Sequence, residues 1–172
     1  LTRSILFCHN YSMETDLYIR LVVAMVLGML IGIERIIAHK TAGVRTYTLV
    51  TMGSALFAIV SQLIYTLHPD ASFNAAYIPA AVISGIGFLG TGLMIWKNEH
   101  LLGLTSAAGL WVCAGVGIAC GYGFFKLATV MTVLILFVFV VLWFIEQKIK
   151  KVAGCHFSAQ KSFVISFRSS KI

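Results

Sequence analysis

Residues 127–145 read LATVMTVLILFVFVVLWFI, nineteen positions without a single charge. The run before it, LLGLTSAAGLWVCAGVGIACGYGFF at 101–125, is also uncharged, and only Lys126 separates the two. A hydrocarbon core of about 30 Å is crossed by about 20 mostly apolar helical residues. Inside lipid, only helices and closed barrels satisfy every backbone polar group. Barrel strands would alternate apolar and polar over about ten residues, and these runs do not. Both stretches therefore predict membrane-spanning helices.

Working outward, the same pattern repeats. Between Arg45 and Lys97 the only charged residue is Asp70, which with His68-Pro69 divides that stretch into two spans. A further span begins at Leu17 and closes on Glu34-Arg35. The predicted helices are 17–36, 45–67, 77–96, 101–121 and 125–146. Composition agrees: 59% of the 172 residues are apolar and 11% charged, with mean hydropathy +0.94. Soluble domains carry about 25% charged residues. A soluble enzyme, a disordered tail and a disulfide-rich secreted module are excluded. The fold class is an all-α integral membrane protein, a bundle of five transmembrane helices.

Orientation follows from Lys and Arg, which concentrate on the cytoplasmic side. Arg35, Lys40, Arg45, Lys97, Lys148, Lys150 and Lys151 fall on one side, against Arg3, Arg20 and Lys126 on the other, seven to three. The N-terminus is predicted outside and the C-terminus in the cytoplasm. The net charge of +7 is then a basic rim facing the inner leaflet, and no nucleic-acid partner is needed to explain it.

Three segments are predicted: an extension at 1–16, the membrane domain at 17–146, and a cytoplasmic segment at 147–172. Met13-Glu14-Thr15-Asp16 reads as a natural start, with the residues before it lacking the length and cleavage site of a signal peptide. Ser162 to Phe167 reads as a β-strand, expected either to open a cytoplasmic α+β domain or to pair with something else. Cys8, Cys113, Cys120 and Cys155 show no metal-ligand spacing, and no histidine falls inside a predicted span. No metal site, cofactor or catalytic constellation is expected, and the chain is predicted not to be an enzyme.

Glycine spacing supplies the first candidate sites. Gly28-xxx-Gly32 in helix 1 and Gly117-xxx-Gly121 in helix 4 match the interval at which small residues let helices approach closely. The densest cluster is Ser84-Gly85-Ile86-Gly87-Phe88-Leu89-Gly90-Thr91-Gly92 in helix 3. It contains a GxGxxG pattern, rejected as a dinucleotide site because that motif needs a preceding strand in a βαβ unit. Two readings of the cluster stand. In one, helix 3 is the central, close-packed element. In the other, the glycines break the helix and unwound carbonyls coordinate a cation near the midplane.

Polar residues supply the rest. Glu34 and Arg35 close span 1, while Arg45 and Thr46 open span 2, so a Glu34–Arg45 ion pair is expected across the hairpin. Such a pair either fixes the hairpin by snorkelling or forms a cytoplasmic gate or docking patch. Thr105 and Ser106 begin helix 4, positioned to cap it or to bond a neighbouring span. Trp96 and Trp143 fall at span ends, as interfacial aromatics do. Trp111 lies deeper and reads as a packing residue.

These motifs, Gly28-xxx-Gly32-x-Glu34-Arg35, Ala42-Gly43-Val44-Arg45-Thr46, Ser84 to Gly92, and Gly103-Leu104-Thr105-Ser106-Ala107-Ala108-x-x-Trp111, resemble in order and spacing those of the MgtC/SapB family. The resemblance covers residues 17–123. It implies a bacterial inner-membrane protein of about five spans, often followed by a small cytoplasmic domain similar to ACT modules. It also implies an association with growth under magnesium limitation, acid stress and survival inside host phagocytes. Mg²⁺ transport and regulation of other membrane machinery, including proton-coupled ATP synthesis, are the family's two competing activities. Where the family commonly carries Arg and Gln ahead of the helix 3 glycines, this chain has Tyr77 and Ala81, with Pro79 between them.

Mg²⁺ sheds water reluctantly and is usually held by one or two carboxylates. The six acids, Glu14, Asp16, Glu34, Asp70, Glu99 and Glu146, all lie at or outside predicted helix ends. A dehydrating Mg²⁺ carrier is thus disfavoured. The leading expectation is a regulator that contacts copies of itself or other membrane proteins through its helices. The alternative is a transporter or channel for Mg²⁺ or protons, with helix 3 as the permeation element.

Overall fold

A computed structural model describes the backbone of residues 2–67, 74–97 and 100–169 and the side chains of 15–67, 74–94, 102–145 and 147–149. Five helices follow in order: α1 (Thr2–Ile37), α2 (Val44–Leu67), α3 (Tyr77–Leu93), α4 (Leu104–Gly121) and α5 (Phe125–Ser169). Two short strands, β1 (Ile95–Lys97) and β2 (His100–Leu102), form an antiparallel hairpin between α3 and α4. Among the described residues, Thr15–Ile37, Val44–Leu67, Leu104–Gly121 and Phe125–Ile149 are long and apolar enough to cross a membrane. Helix α3 is apolar but only 17 residues long. The chain is a multi-pass helical membrane protein.

The α3–α4 connection departs from the expected spans. Helix 3 stops at Leu93 instead of 96, and helix 4 starts at Leu104 instead of 101. Ile95 pairs with Leu102 and Lys97 with His100, so the chain turns back on itself at the end of α3. Gly103 makes this return possible. Its φ is +90°, and a Cβ there would sit 2.2 Å from the Leu93 carbonyl oxygen. Only glycine tolerates both conditions.

Helix α5 runs through 162–167, where a strand was expected, and ends at Ser169. A helix satisfies its own backbone hydrogen bonds, whereas a strand needs a neighbour. Nothing described in the chain pairs with this segment. Two compact units divide within α5, Leu1–Ile135 and Leu136–Ile172. In the second, Phe137, Leu142, Phe144 and Ile149 are exposed, and Trp143 meets Phe144 edge to face at 5.0 Å.

In the first unit α2 occupies the centre, touching α1, α3 and α4, while α1 and α4 also meet. Small residues permit this. A Cβ on Gly28 would lie 2.7 Å from Thr51 Oγ1, and one on Gly32 would lie 2.5 Å from Val44 Cα. On α4, a Cβ on Gly117 would come within 2.1 Å of the Thr51 carbonyl oxygen, and one on Gly121 within 2.5 Å of that of Ala55. Both flanking helices thus press their backbones onto α2, the arrangement that drives association where lipid offers no hydrophobic gain.

Helix α3 is neither broken nor central. It is continuous through Ser84–Gly92, with none of its glycines at positive φ. It packs through one row, Pro79, Ile86 and Gly90, the last lying 3.5 Å (from an added Cβ) from the Ala107 side chain. Gly85, Gly87 and Gly92 face open space, and Ser84, Phe88 and Thr91 beside them are exposed. Glycine in a helix costs about 1 kcal/mol relative to alanine. Four such residues lower stability without unwinding a helix whose backbone has no better partner in lipid.

Candidate functional site

The polar residues of the bundle collect into two clusters joined by a buried stripe. The first forms where α1 ends and α2 begins. Arg35 is the largest fully buried side chain, 2% exposed. Its Nε donates to Glu34 Oε2 in a salt bridge, and Glu34 is itself mostly buried. An unpaired charge at such depth would cost several kcal/mol, so the carboxylate accompanies the guanidinium inward. Arg45, the expected partner of Glu34, is exposed instead. Consecutive residues on one helix can close a pair while the longer route across the α1–α2 loop stays open. That loop passes through His39, whose φ of 53° is the only positive value at a described non-glycine residue.

Tyr47, fully buried on the first turn of α2, lies within electrostatic reach of Arg35, Glu34 and Cys113. Its hydroxyl donates to the Ser106 carbonyl oxygen at 3.1 Å, tying α2 to the start of α4. Ser106 is buried, yet its contribution to this bond comes from the backbone; Thr105 faces outward. Thr46 is half-buried beside the cluster without a described hydrogen bond of its own.

The second cluster lies at the far end of the same helices. Arg20 sits 15 residues before Arg35 on α1, about 22 Å away at 1.5 Å per residue. Its Nε and Nη2 donate to Asp16 Oδ2 at 2.9 and 2.5 Å, and its Nη1 donates to Gln62 Oε1 at 2.8 Å and the Gly121 carbonyl at 2.9 Å. One guanidinium thus joins α1, α2 and the end of α4. A Cβ added to Gly123, at φ +81°, would lie 3.5–3.7 Å from Cζ, Nη2 and Nε of this guanidinium. Ser61 and Tyr122 both donate to the Ala75 carbonyl, at 2.6 and 3.0 Å, and pin the turn into α3.

Between the clusters runs the stripe: Tyr47, Thr51, Ser54, Ala58 and Ser61, at intervals of four, three, four and three on α2, all at most 3% exposed. Thr51 Oγ1 donates back to the Tyr47 carbonyl at 2.8 Å, the usual way a hydroxyl is satisfied inside a membrane helix. Thr48 Oγ1 is buried with no hydrogen-bond partner among the described residues. Opposite the stripe stand Cys113, Gly117, Cys120 and Gly121 of α4. At Gly28, Gly32, Gly117 and Gly121 the backbones of α1 and α4 approach α2 too closely to admit even a methyl group. Among the described residues no three His, Cys, Asp or Glu side chains gather to hold a metal.

The MgtC family matches residues 21–148, the segment that carries both the Glu34–Arg35 pair and the seam. The chain belongs to the MgtC family. It is 41% identical over 133 residues to YhiD of Escherichia coli (strain K12), named as a proposed magnesium transporter, covering 74% of this chain and 62% of that protein. It is 37% identical over 153 residues to MgtC of Salmonella paratyphi A, covering 89% of this chain and 63% of the relative. MgtC of Salmonella typhimurium (strain LT2) is 43% identical over 118 residues, 69% and 48% of the two chains. The chain therefore spans about half to three fifths of the length of the curated relatives it matches. No solved structure matches it.

Within this MgtC-family chain, the sequence motifs separate in space. Glu34, Arg35 and Ser106 share the first cluster, while Arg45, Thr105 and the Ser84–Gly92 face are exposed. Gly28, Gly32, Gly117 and Gly121 sit on the seam. Trp111, expected as packing, is 55% exposed, and the side chain of Trp96 lies outside the described residues. Asp70 does too. Sequence reasoning passed over Arg20, Gln62 and Tyr47. The signals were present: Asp16 and Arg20 are four apart, and the hydroxyls of α2 repeat every seven residues in two turns.

Proposed function

We propose that this chain is a non-enzymatic regulator in the bacterial inner membrane, N-terminus outside and C-terminus in the cytoplasm, tied to magnesium homeostasis, in keeping with the name of its YhiD relative, and to stress adaptation, as the family resemblance implies. It acts by helix–helix contact with other membrane proteins, among which proton-coupled ATP synthesis machinery is one target class. The single observation that carries this reading is the face of α3. Ala81, Gly85, Phe88 and Gly92 form one row at steps of four, three and four, Ser84 and Thr91 flank Phe88 at four and three, and all six are exposed. Phe88, 80% exposed, projects from the middle of a surface otherwise made of small residues. A groove of glycines around one aromatic knob suits close packing with another helix far better than packing with disordered acyl chains. The tightly filled seam supports the same reading, since a carrier needs a wet or carboxylate-lined path.

A photo-crosslinking residue placed at Gly85, on that face and with nothing within 4 Å of an added Cβ, compared with one at exposed Val133 of α5, tests this. Adducts with a membrane protein from position 85 and none from position 133 support the reading; equal, lipid-only labelling at both opposes it.

The second reading, passage of Mg²⁺ or protons, draws support from a different place than the helix 3 glycines. The hydroxyl stripe of α2 joins two arginine–carboxylate pairs at opposite ends of the bundle, Arg35–Glu34 buried and Arg20–Asp16 partly exposed, and a rearranged state that hydrated it would supply a proton path. The C-terminal segment at 147–172 is read in both cases as leading toward a cytoplasmic domain of the ACT-like type.

A further inference from the structure

Away from the seam, α3, α4 and the first turns of α5 enclose an apolar groove of about 330 Å³. Ile83 forms one wall, and Leu127 and Met131 the other. Its floor follows two neighbouring rows of α4, Trp111, Gly115 and Ala119 with Val112 and Val116. Gly115 deepens the floor, because an added Cβ there would meet nothing within 4 Å. The lining runs from Trp111 to Ala119, about 12 Å at 1.5 Å per residue. Helix α4 spans Leu104–Gly121, so Trp111 sits near its midpoint and the groove opens toward the α4–α5 turn. Its length is therefore close to one leaflet, half of the roughly 30 Å hydrocarbon core.

At the open end stands Lys126, exposed and one residue before Leu127 of the groove wall. The other cation at this end, Arg20, is already engaged by Asp16, Gln62 and the Gly121 carbonyl. Lys126 enters no hydrogen bond or ion pair among the described residues, and its long stem can carry the ammonium to the interface. A leaflet-length apolar slot ending at a free cation has the chemistry of a phospholipid: an acyl chain for the slot and an anionic headgroup for the ammonium. A helix is a poorer occupant. It would need a seam along the whole of α4 and a breadth of about 10 Å, whereas this slot stops at Trp111.

We propose that this groove is a specific site for one anionic phospholipid, its acyl chain lying on Gly115 and its phosphate at Lys126. Trp111 reports directly on the occupant. In a W96F/W143F protein it is the remaining tryptophan, and bromine atoms on an acyl chain quench it on contact. The protein is reconstituted in phosphatidylcholine containing a small fraction of brominated phosphatidylglycerol, or of brominated phosphatidylcholine in a parallel series. Quenching by the anionic lipid should exceed that by the zwitterionic lipid about five-fold in apparent affinity, the effect of one lysine near a charged headgroup. Lys126→Arg should keep the preference and Lys126→Gln should erase it. Gly115→Leu, which fills open space, should lower quenching by both lipids. Quenching that follows bulk lipid fraction equally for both headgroups would overturn the proposal in favour of ordinary annular lipid. Quenching by neither lipid at any fraction would overturn it in favour of protein covering the groove.

Discussion

Replacing Gly117 by alanine is the sharpest test of the α2–α4 contact. The added methyl would stand 2.1 Å from the Thr51 carbonyl oxygen and 2.9 Å from Ser54 Cβ, against the 3.4 Å at which ordinary contact begins. The obstacle is backbone, so no rotamer change relieves it. The helices must separate by about 1 Å, and the Gly28 contact with the same residue, Thr51, is disturbed with it. Overpacking of this kind costs about 1–3 kcal/mol. Alanine returns about 0.5–1 kcal/mol through better helix propensity. With backbone as the obstacle the cost lies near the top of its range, so the net loss is about 2 kcal/mol, roughly a thirty-fold shift in the folding equilibrium. Gly87→Ala supplies the control, because its methyl would meet nothing within 4 Å and only the propensity gain remains. Equilibrium unfolding in mixed micelles, read by far-UV circular dichroism, compares the two. Gly117→Ala as stable as the parent, or Gly87→Ala the more damaging of the two, would refute the packing account.

Other outcomes follow from the clusters. In double-mutant cycles, Glu34 should couple to Arg35 by more than 1 kcal/mol and to Arg45 by about zero; appreciable coupling to Arg45 would restore the hairpin pair. Arg35→Ala alone, which strands a mostly buried carboxylate, should cost about 3–5 kcal/mol of stability, measured by the same unfolding assay. Tyr47→Phe removes one hydrogen bond and should cost about 0.5–1.5 kcal/mol; a larger loss would mean the hydroxyl does more than bond Ser106. Arg20→Lys keeps the charge but cannot reach Asp16, Gln62 and the Gly121 carbonyl with one planar fork, and should behave nearly as badly as Arg20→Ala in thermal aggregation assays.

The helices were legible because lipid leaves so few alternatives. Uncharged runs such as 127–145 admit only one spanning structure in a chain without strand alternation, and the apolar spans lie close to the expected ones, although α1 begins already at Thr2 and α5 runs on to Ser169. The turn at 94–103 was not legible. A short hairpin there depends on Gly103 adopting positive φ against Leu93, a tertiary contact that local pattern does not encode. Helix 3 misled for a related reason: glycine spacing tells that a close approach is possible, not whether a partner lies within this chain. Gly28 and Gly117 find α2, whereas Gly85, Gly87 and Gly92 find nothing here. Arg20 escaped notice because a single arginine near a helix end looks like an interfacial anchor, and its partners come from residues about 40 and 100 positions away.

A chain that works by contact, as proposed, carries no ions. Mg²⁺ and proton flux into proteoliposomes measures that directly, with wild-type protein of verified fold and insertion set beside Glu34→Gln. The account predicts flux no greater than in protein-free vesicles for either ion. Saturable flux in the wild type that disappears in a correctly folded Glu34→Gln protein would contradict it and make the α2 stripe a conduction path.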